Sequence, residues 1–370
     1  MNAAKKFVWR NDFMYVKELR LSGFRNYKEE SFSFCSGTNI IYGNNAQGKT
    51  NALEAVYLFS IGKSFRTQQD RELIRFDEAF TKIDVCFDDA QRENEIEIVV
   101  RRDRKKQIKI NGVPINKMGE LIGCFTVVLF SPDELNLTKG SPNARRRFLD
   151  IAVSQMRPKY YHLLRRYNKV LEQRNNLIKK LRHTNDETLK ETLGVWNEKL
   201  SDYGMAVVTY RKKFVETLKT YAKEIHLEIS GEEFGLAYKT GFSSKEEFLE
   251  KLNHSLNREL EMGFTLYGPH RDDLDIDIGG KDIKTYGSQG QHRSAVLALK
   301  LAQADMIFED TGEYPVLLLD DIMSELDAGR RSYLSGKIKN KQVIITCTDA
   351  EDLPESANAK LIHIENGKII

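Results

Sequence analysis

"TNIIYGNNAQGKTNALEAVYLF", residues 38–59, joins a short apolar run to a glycine-containing loop and then to a helical pattern. Residues 43–50 read G-x-x-x-x-G-K-T, and strand, loop and helix in that order are the setting in which such a loop holds phosphate. Gly43 and Gly48 let the backbone amides of Asn44, Asn45, Ala46 and Gln47 wrap an oxyanion, and the helix N-terminus adds positive potential. Lys49 is placed to reach the β- and γ-phosphates of a nucleotide, and the Thr50 hydroxyl to ligate Mg2+. A plain turn before a helix would require neither Lys49 nor Thr50.

Such a loop needs an acidic partner, and the chain offers one far away. "PVLLLDDIMSELD", residues 315–327, is an apolar run ending in two carboxylates. It reads as a buried strand that carries Asp320 to a sheet edge to hold Mg2+. Asp321 follows where a general base or water-orienting group belongs. Lys49 and Asp320 stand 271 positions apart, more than a compact nucleotide-binding core requires. Both ends of the chain must therefore fold together, with the intervening residues forming a second lobe.

The remaining pattern agrees. Residues 15–42 and 81–115 read as short strands, and Asn111-Gly112 marks a hairpin. "FTVVLF" at 125–130 reads as a buried strand. From about 141 to 229, apolar residues recur at helical spacing, with a polar break at "HTNDET". Strand, helix and strand patterns return at the C-terminal end. The expected fold is α/β, with a head from residues 14–135 and 280–370 and a mostly helical insertion at 136–279. Residues 1–13 read as an appended extension.

The 370 residues suggest two or three domains, and a net charge of +3 points to no partner by itself. Its distribution is more telling. Residues 157–225 hold 16 Lys/Arg against 8 Asp/Glu, and Arg101, Arg102, Arg104, Lys105, Lys106 and Lys109 form another basic cluster. These are either solvated faces or surfaces for phosphate backbones. Cys35, Cys86, Cys124 and Cys347 are scattered without metal-ligand spacing, as expected of a chain in a reducing cytoplasm. No apolar run is long enough to span a bilayer, and the beginning lacks a secretory h-region.

One stretch exceeds its structural explanation. "TYGSQGQHRSAVLALKLAQADMIF", residues 285–308, starts a helix that Ser288 or Gly290 could cap. Capping does not account for Gln289 and Gln291. Together with the phosphate loop and "LLLDDIMSELD", this stretch resembles the ABC-type ATPase superfamily and, within it, the bacterial RecF family. "FRNY" (24–27), "GKSFR" (62–66), "GSPNARRRFLD" (140–150) and "YGPHRDDL" (267–274) extend the resemblance from about Met14 to the C-terminus.

The resemblance implies a head like those of chromosome-maintenance ATPases, a second lobe and no long coiled coil. It implies ATP and Mg2+ as cofactors, an ATP-dependent homodimer, and binding to gapped or single-strand/duplex junction DNA. The mediator proteins RecR and RecO are the implied partners in loading a recombinase during recombinational repair and replication restart. It makes Ser288, Gln289, Gly290 and Gln291 the signature segment that closes on the γ-phosphate of the opposite subunit. It also gives Asp327 a contact in trans and puts Arg25 and Asn26 near the nucleotide.

Departures point to slow, DNA-stimulated ATP hydrolysis. Asp321 stands where many relatives carry Glu, and Thr348 where transporters often carry a switch histidine. With no glutamine after the 125–130 strand, Asp133 or Glu134 would have to serve. Arg145, Arg146 and Arg147 read as exposed charges or nucleotide sensors, and His270 and Arg271 as structural hydrogen-bonding groups or catalytic ones. Two other functions stay open: a transporter's energy-coupling cassette, which the long insertion disfavours, and a nucleotide-bound DNA clamp without meaningful turnover.

Overall fold

The computed structural model describes residues 14–184, 187–350, 353 and 358–370; the expected N-terminal extension lies outside them. Two compact units emerge. One combines the chain up to Glu134 with Lys300–Ile370, and the other is Leu135–Leu299.

In the first unit the strands run β1 (Tyr15–Phe24), β2 (Tyr27–Ser33), β3 (Thr38–Tyr42), β4 (Phe80–Asp88), β5 (Glu93–Arg101), β6 (Gln107–Ile110), β7 (Val113–Ile115) and β8 (Val127–Phe130). The second unit contributes β9 (Phe234–Lys239), β10 (Asp273–Ile278) and β11 (Lys281–Asp282). The C-terminal part of the first unit then adds β12 (Val316–Asp320), β13 (Val343–Cys347), β14 (Lys360–Glu365) and β15 (Lys368–Ile369).

Two six-stranded sheets build the first unit, and their sequences explain the difference between them. The sheet β2-β1-β4-β5-β6-β7 is antiparallel, and β5 alternates buried Ile96, Ile98 and Val100 with more exposed Glu95, Glu97 and Val99. One face thus packs inward while the other meets water. At the β6–β7 turn, Asn111 and Gly112 both take positive φ, 49° and 77°, as the hairpin signal predicts. The second sheet runs β15-β14-β3-β13-β12-β8, with β14, β3, β13, β12 and β8 parallel. Every residue of β12, β13 and β8 is buried, as their mainly apolar sequences require, with Asp320 and Thr346 as buried polar exceptions. The helix Lys49–Ile61 is apolar around most of its circumference because eleven of its thirteen residues are buried.

The second unit centres on helices. Pro158–Leu181 packs on Glu187–Ser230 through Leu177, Ile178, Leu181 and Leu193, with Leu189 and Trp196 against them. Glu187–Ser230, which begins at the end of the polar break expected at 183–188, runs unbroken for 44 residues. It still forms no extended coiled coil, because its buried positions serve a local core with Pro158–Leu181, β9 and the helix Lys245–His254.

The boundary expected at residue 280 falls at 300 instead. Residues 280–299 belong with the second unit because β11 pairs with β10 and Asp282 accepts from the Thr285 amide. The Gln291 side-chain Nε2 also donates to Glu232 Oε1 at 2.8 Å.

Candidate nucleotide-binding site

The phosphate loop leaves β3 at Gly43, whose φ is 141°. A Cβ there would lie 2.3 Å from the Ile364 carbonyl oxygen on the neighbouring strand, so the sheet itself demands glycine. The far end of the loop is clamped by side chains. Tyr27 Oη donates to the Gly48 carbonyl at 2.9 Å, and Asn26 Nδ2 donates to the Gln47 carbonyl at 2.8 Å. The Asn366 amide donates to Gln47 Oε1 at 2.5 Å. Gly48 then opens the helix with no capping side chain, leaving the first-turn amides to be met by an oxyanion.

Lys49 is almost fully buried, and its Nζ donates to the carbonyls of Gly43 and Asn44 at 2.6 and 2.8 Å. Burial lowers its pKa, opposed by the charges of Asp321 and Asp320. A phosphate at this loop would supply the countercharge that burial withholds.

Parallel pairing brings in the acidic partner. Asp320 ends β12 beside Thr346 on β13, and β13 in turn pairs with β3, so these strands finish on one edge. Thr50 Oγ1 and Thr346 Oγ1 each donate to Asp320 Oδ1 at 2.8 Å. Burial raises the pKa of Asp320, opposed by those two hydrogen bonds. The hydroxyl and carboxylate expected to share a metal are thus in direct contact. Among the described residues no three His, Cys, Asp or Glu form a metal cage. The oxygen pair suits a Mg2+ that takes its other ligands from phosphate and water.

Asp321 turns away from the strand in a left-handed conformation, φ 52°. Its amide donates to Thr346 Oγ1 at 3.0 Å, and its exposed carboxylate accepts from Ser324 Oγ at 3.2 Å. Thr346 therefore serves both acids, a role its sequence did not announce. Only the register of two buried strands shows it.

Other expected residues have structural partners. Arg25 makes a two-pronged ion pair with fully buried Glu54, at 2.9 and 2.6 Å. Asn26 ties the loop to Asn51 as well as to Gln47. Glu134 pairs with Lys300 at 2.7 Å, while Asp133 is exposed. Thr348 contributes its carbonyl to the Gly43 amide at 3.3 Å. Asp327 caps the helix Ala328–Ile338 by accepting from the Arg330 amide at 3.0 Å.

In the second unit, Ser288 and Gln291 form a reciprocal cap. Ser288 Oγ accepts from the Gln291 amide at 3.2 Å, and Gln291 Oε1 accepts from the Ser288 amide at 2.9 Å. Gln289 and Gly290 lie in the first turn of the helix Gln289–Thr311. The cap is therefore Ser288 and not Gly290.

Arg145, read as an exposed charge or a nucleotide sensor, is buried and grips Asp273 at 2.6 and 2.8 Å. Arg146 donates to the Asp272 carbonyl at 2.6 Å, and Arg147 remains exposed. His270 Nδ1 lies 2.6 Å from Tyr167 Oη and its Nε2 lies 3.2 Å from the Thr265 carbonyl. The Thr265 carbonyl fixes a proton on Nε2, and burial, which holds the pKa down to about 4, keeps the ring neutral so that Nδ1 accepts from Tyr167 Oη. Arg271 stacks over Phe264. Two arginines counted within the basic stretch are interior: Arg174 pairs with Glu259 at 2.7 Å, and Arg211 with Asp150 at 2.7 Å.

Fold and site together define a class. The family model described as RecF/RecN/SMC N terminal domain matches residues 15–369. The SMC head domain from Pyrococcus furiosus shares the fold, with TM-score 0.55 at 19% identity over 97% of this chain and 96% of that one. Nearer relatives narrow the assignment. The DNA replication and repair protein RecF of Clostridium tetani is 42% identical over 369 residues, covering 96% of this chain and all of its own length. A solved structure of the recombination mediator protein RecF with ATP, in the RecFOR pathway, matches with TM-score 0.90 and 36% identity. That match covers 97% of this chain and 98% of the other. The chain belongs to the RecF family of DNA replication and repair proteins.

Proposed function

We propose that this chain is an ATP-gated, DNA-binding homodimer of recombinational repair and replication restart, with slow ATP hydrolysis as its reset. The observation that carries the reading is the Thr50–Asp320 contact at 2.8 Å, made across 270 positions of sequence beside the buried Lys49. The solved RecF relative was obtained with ATP, and this chain has the loop, lysine and oxygen pair to hold the same ligand with Mg2+.

In this reading the amides of residues 43–50 and Lys49 hold the phosphates, while Thr50 and Asp320 hold the metal. Bound Mg2+ would supply charge neutralisation for the phosphates during transfer. Asp321 orients a water for attack on the γ-phosphorus, the bond to the bridging oxygen breaks, and ADP and phosphate leave. Asp321 is one methylene shorter than Glu and its carboxylate accepts from Ser324, which supports slow turnover. Ser288, Gln289, Gly290 and Gln291 present polar groups and a helix N-terminus to the γ-phosphate held by a second copy.

The dimer would bind gapped or junction DNA through phosphate contacts, in the cytoplasm, and work with RecR and RecO. Among the described residues no helix is long and apolar enough to cross a membrane, and the family assignment displaces the transporter reading.

Solution mass with and without ATP and a gapped duplex tests the proposal. The wild type should double its mass with ATP. Lys49→Ala should lose nucleotide binding, whereas Ser288→Arg should keep it and remain monomeric. A monomer under every condition overturns the dimer. Undetectable turnover with intact dimers and DNA binding would make the chain a clamp.

A further inference from the structure

The first unit contains an open groove of about 830 Å3 that begins beside the phosphate loop, at Asn26 and Asn51, and extends to Phe76 and Arg102. Five arginines line it, Arg25, Arg66, Arg71, Arg75 and Arg102, against two carboxylates, Glu72 and Asp77. Their pairing is uneven. Arg25 and Arg66 both lie near Glu54, and Arg75 binds Asp77 at 2.7 Å. Arg71 donates to Gln69 Oε1, and Arg102 donates to the carbonyls of Glu78 and Arg75. Those last acceptors are neutral, so the positive charges of Arg71 and Arg102 are oriented but not cancelled. On the same wall Phe76 is fully exposed, while its neighbour Ile74 is buried. The Phe76 ring lies open to solvent on a wall that also carries these arginines, so a flat group can stack on its face while the cations take anions on either side.

We infer that this groove is a single-strand subsite, in which Phe76 stacks on an unpaired base and Arg71 and Arg102 hold the flanking phosphates. Aromatic faces among basic side chains bind unpaired strands with little sequence preference, because every base offers a π-face. A duplex keeps its bases stacked internally and cannot cover Phe76 in this way. The subsite rests on the DNA-binding reading above and would give it a preference for gaps and junctions.

Full-length protein with ATP is titrated into a fluorescein-labelled oligothymidine and, separately, a blunt duplex, both read by anisotropy. Phe76→Ala should weaken strand binding roughly tenfold with duplex binding unchanged, whereas Phe76→Tyr should retain it. Arg71→Ala and Arg102→Ala should each reduce the salt slope for the strand by about 0.7. ATP binding and melting temperature should match the wild type, because Phe76 is fully exposed and is not among the side chains that clamp the phosphate loop. Photocrosslinking of a 5-iodouracil strand to the peptide carrying Phe76 would support the assignment directly. Equal strand affinity in Phe76→Ala and wild type overturns the subsite alone. A wild type that binds neither DNA overturns the DNA-binding reading, and the subsite with it. If Phe76→Ala abolishes dimers, the groove is an interface between copies and the inference fails.

Discussion

Asp320 carries two opposing demands. Burial raises its pKa, so ionising it costs more in the folded chain than in the unfolded one, and that cost appears as pH rises through the raised value. Yet a metal requires the ionised form. Asp320→Asn removes the charge while its Oδ1 can still accept from Thr50 and Thr346. The variant should melt roughly 2 °C higher without ligand and lose Mg2+-dependent ATP hydrolysis at least tenfold, a magnitude set by the size of one polar term. Calorimetry and a phosphate-release assay check both; a lower melting point would show that the ionised hydrogen bonds outweigh desolvation. Lys49 and Thr50 were legible at this scale because their chemistry is tied to a local spacing. Thr346 was not, because a threonine inside an apolar run carries no signal until its strand is set beside β12.

At the scale of elements, buried strands and helices followed from their apolar runs, while buried charges did not. Arg145, Arg174 and Arg211 look like surface residues in one dimension, but each meets an acid distant in sequence: Asp273, Glu259 and Asp150. The turn 267–272 depends on similar satisfaction through neutral His270. With its pKa held to about 4, His270 resists protonation in the fold while the unfolded chain accepts a proton near pH 6.5. Stability is therefore fully present above pH 6.5 and is lost as pH falls toward 4. Between pH 7 and 5 this single group should remove about 2 kcal/mol, measured by urea unfolding. His270→Gln should flatten that part of the profile; an unchanged slope would assign it to other groups.

For the whole molecule, the proposed DNA contacts are electrostatic, so affinity should depend on salt more than on sequence. Two gapped duplexes of unrelated sequence should bind within about threefold of each other, while both lose affinity by at least tenfold between 50 and 200 mM salt, the range spanned by a few phosphate contacts. Fluorescence titration checks this; a strong sequence preference that survives high salt would demand base readout instead.

The sequence by itself determined the phosphate loop, the distant acidic strand and the need for both chain ends to fold together. These are set by local backbone requirements and by apolar runs that must be buried. Only the tertiary structure decided that Ser288 is the cap, that 280–299 belong with the second unit, that three arginines are interior, and that Thr346 joins the site. Each of those depends on which distant groups become neighbours when the strands and helices pack. A linear pattern records what a residue can do, and packing selects the partner with which it does so.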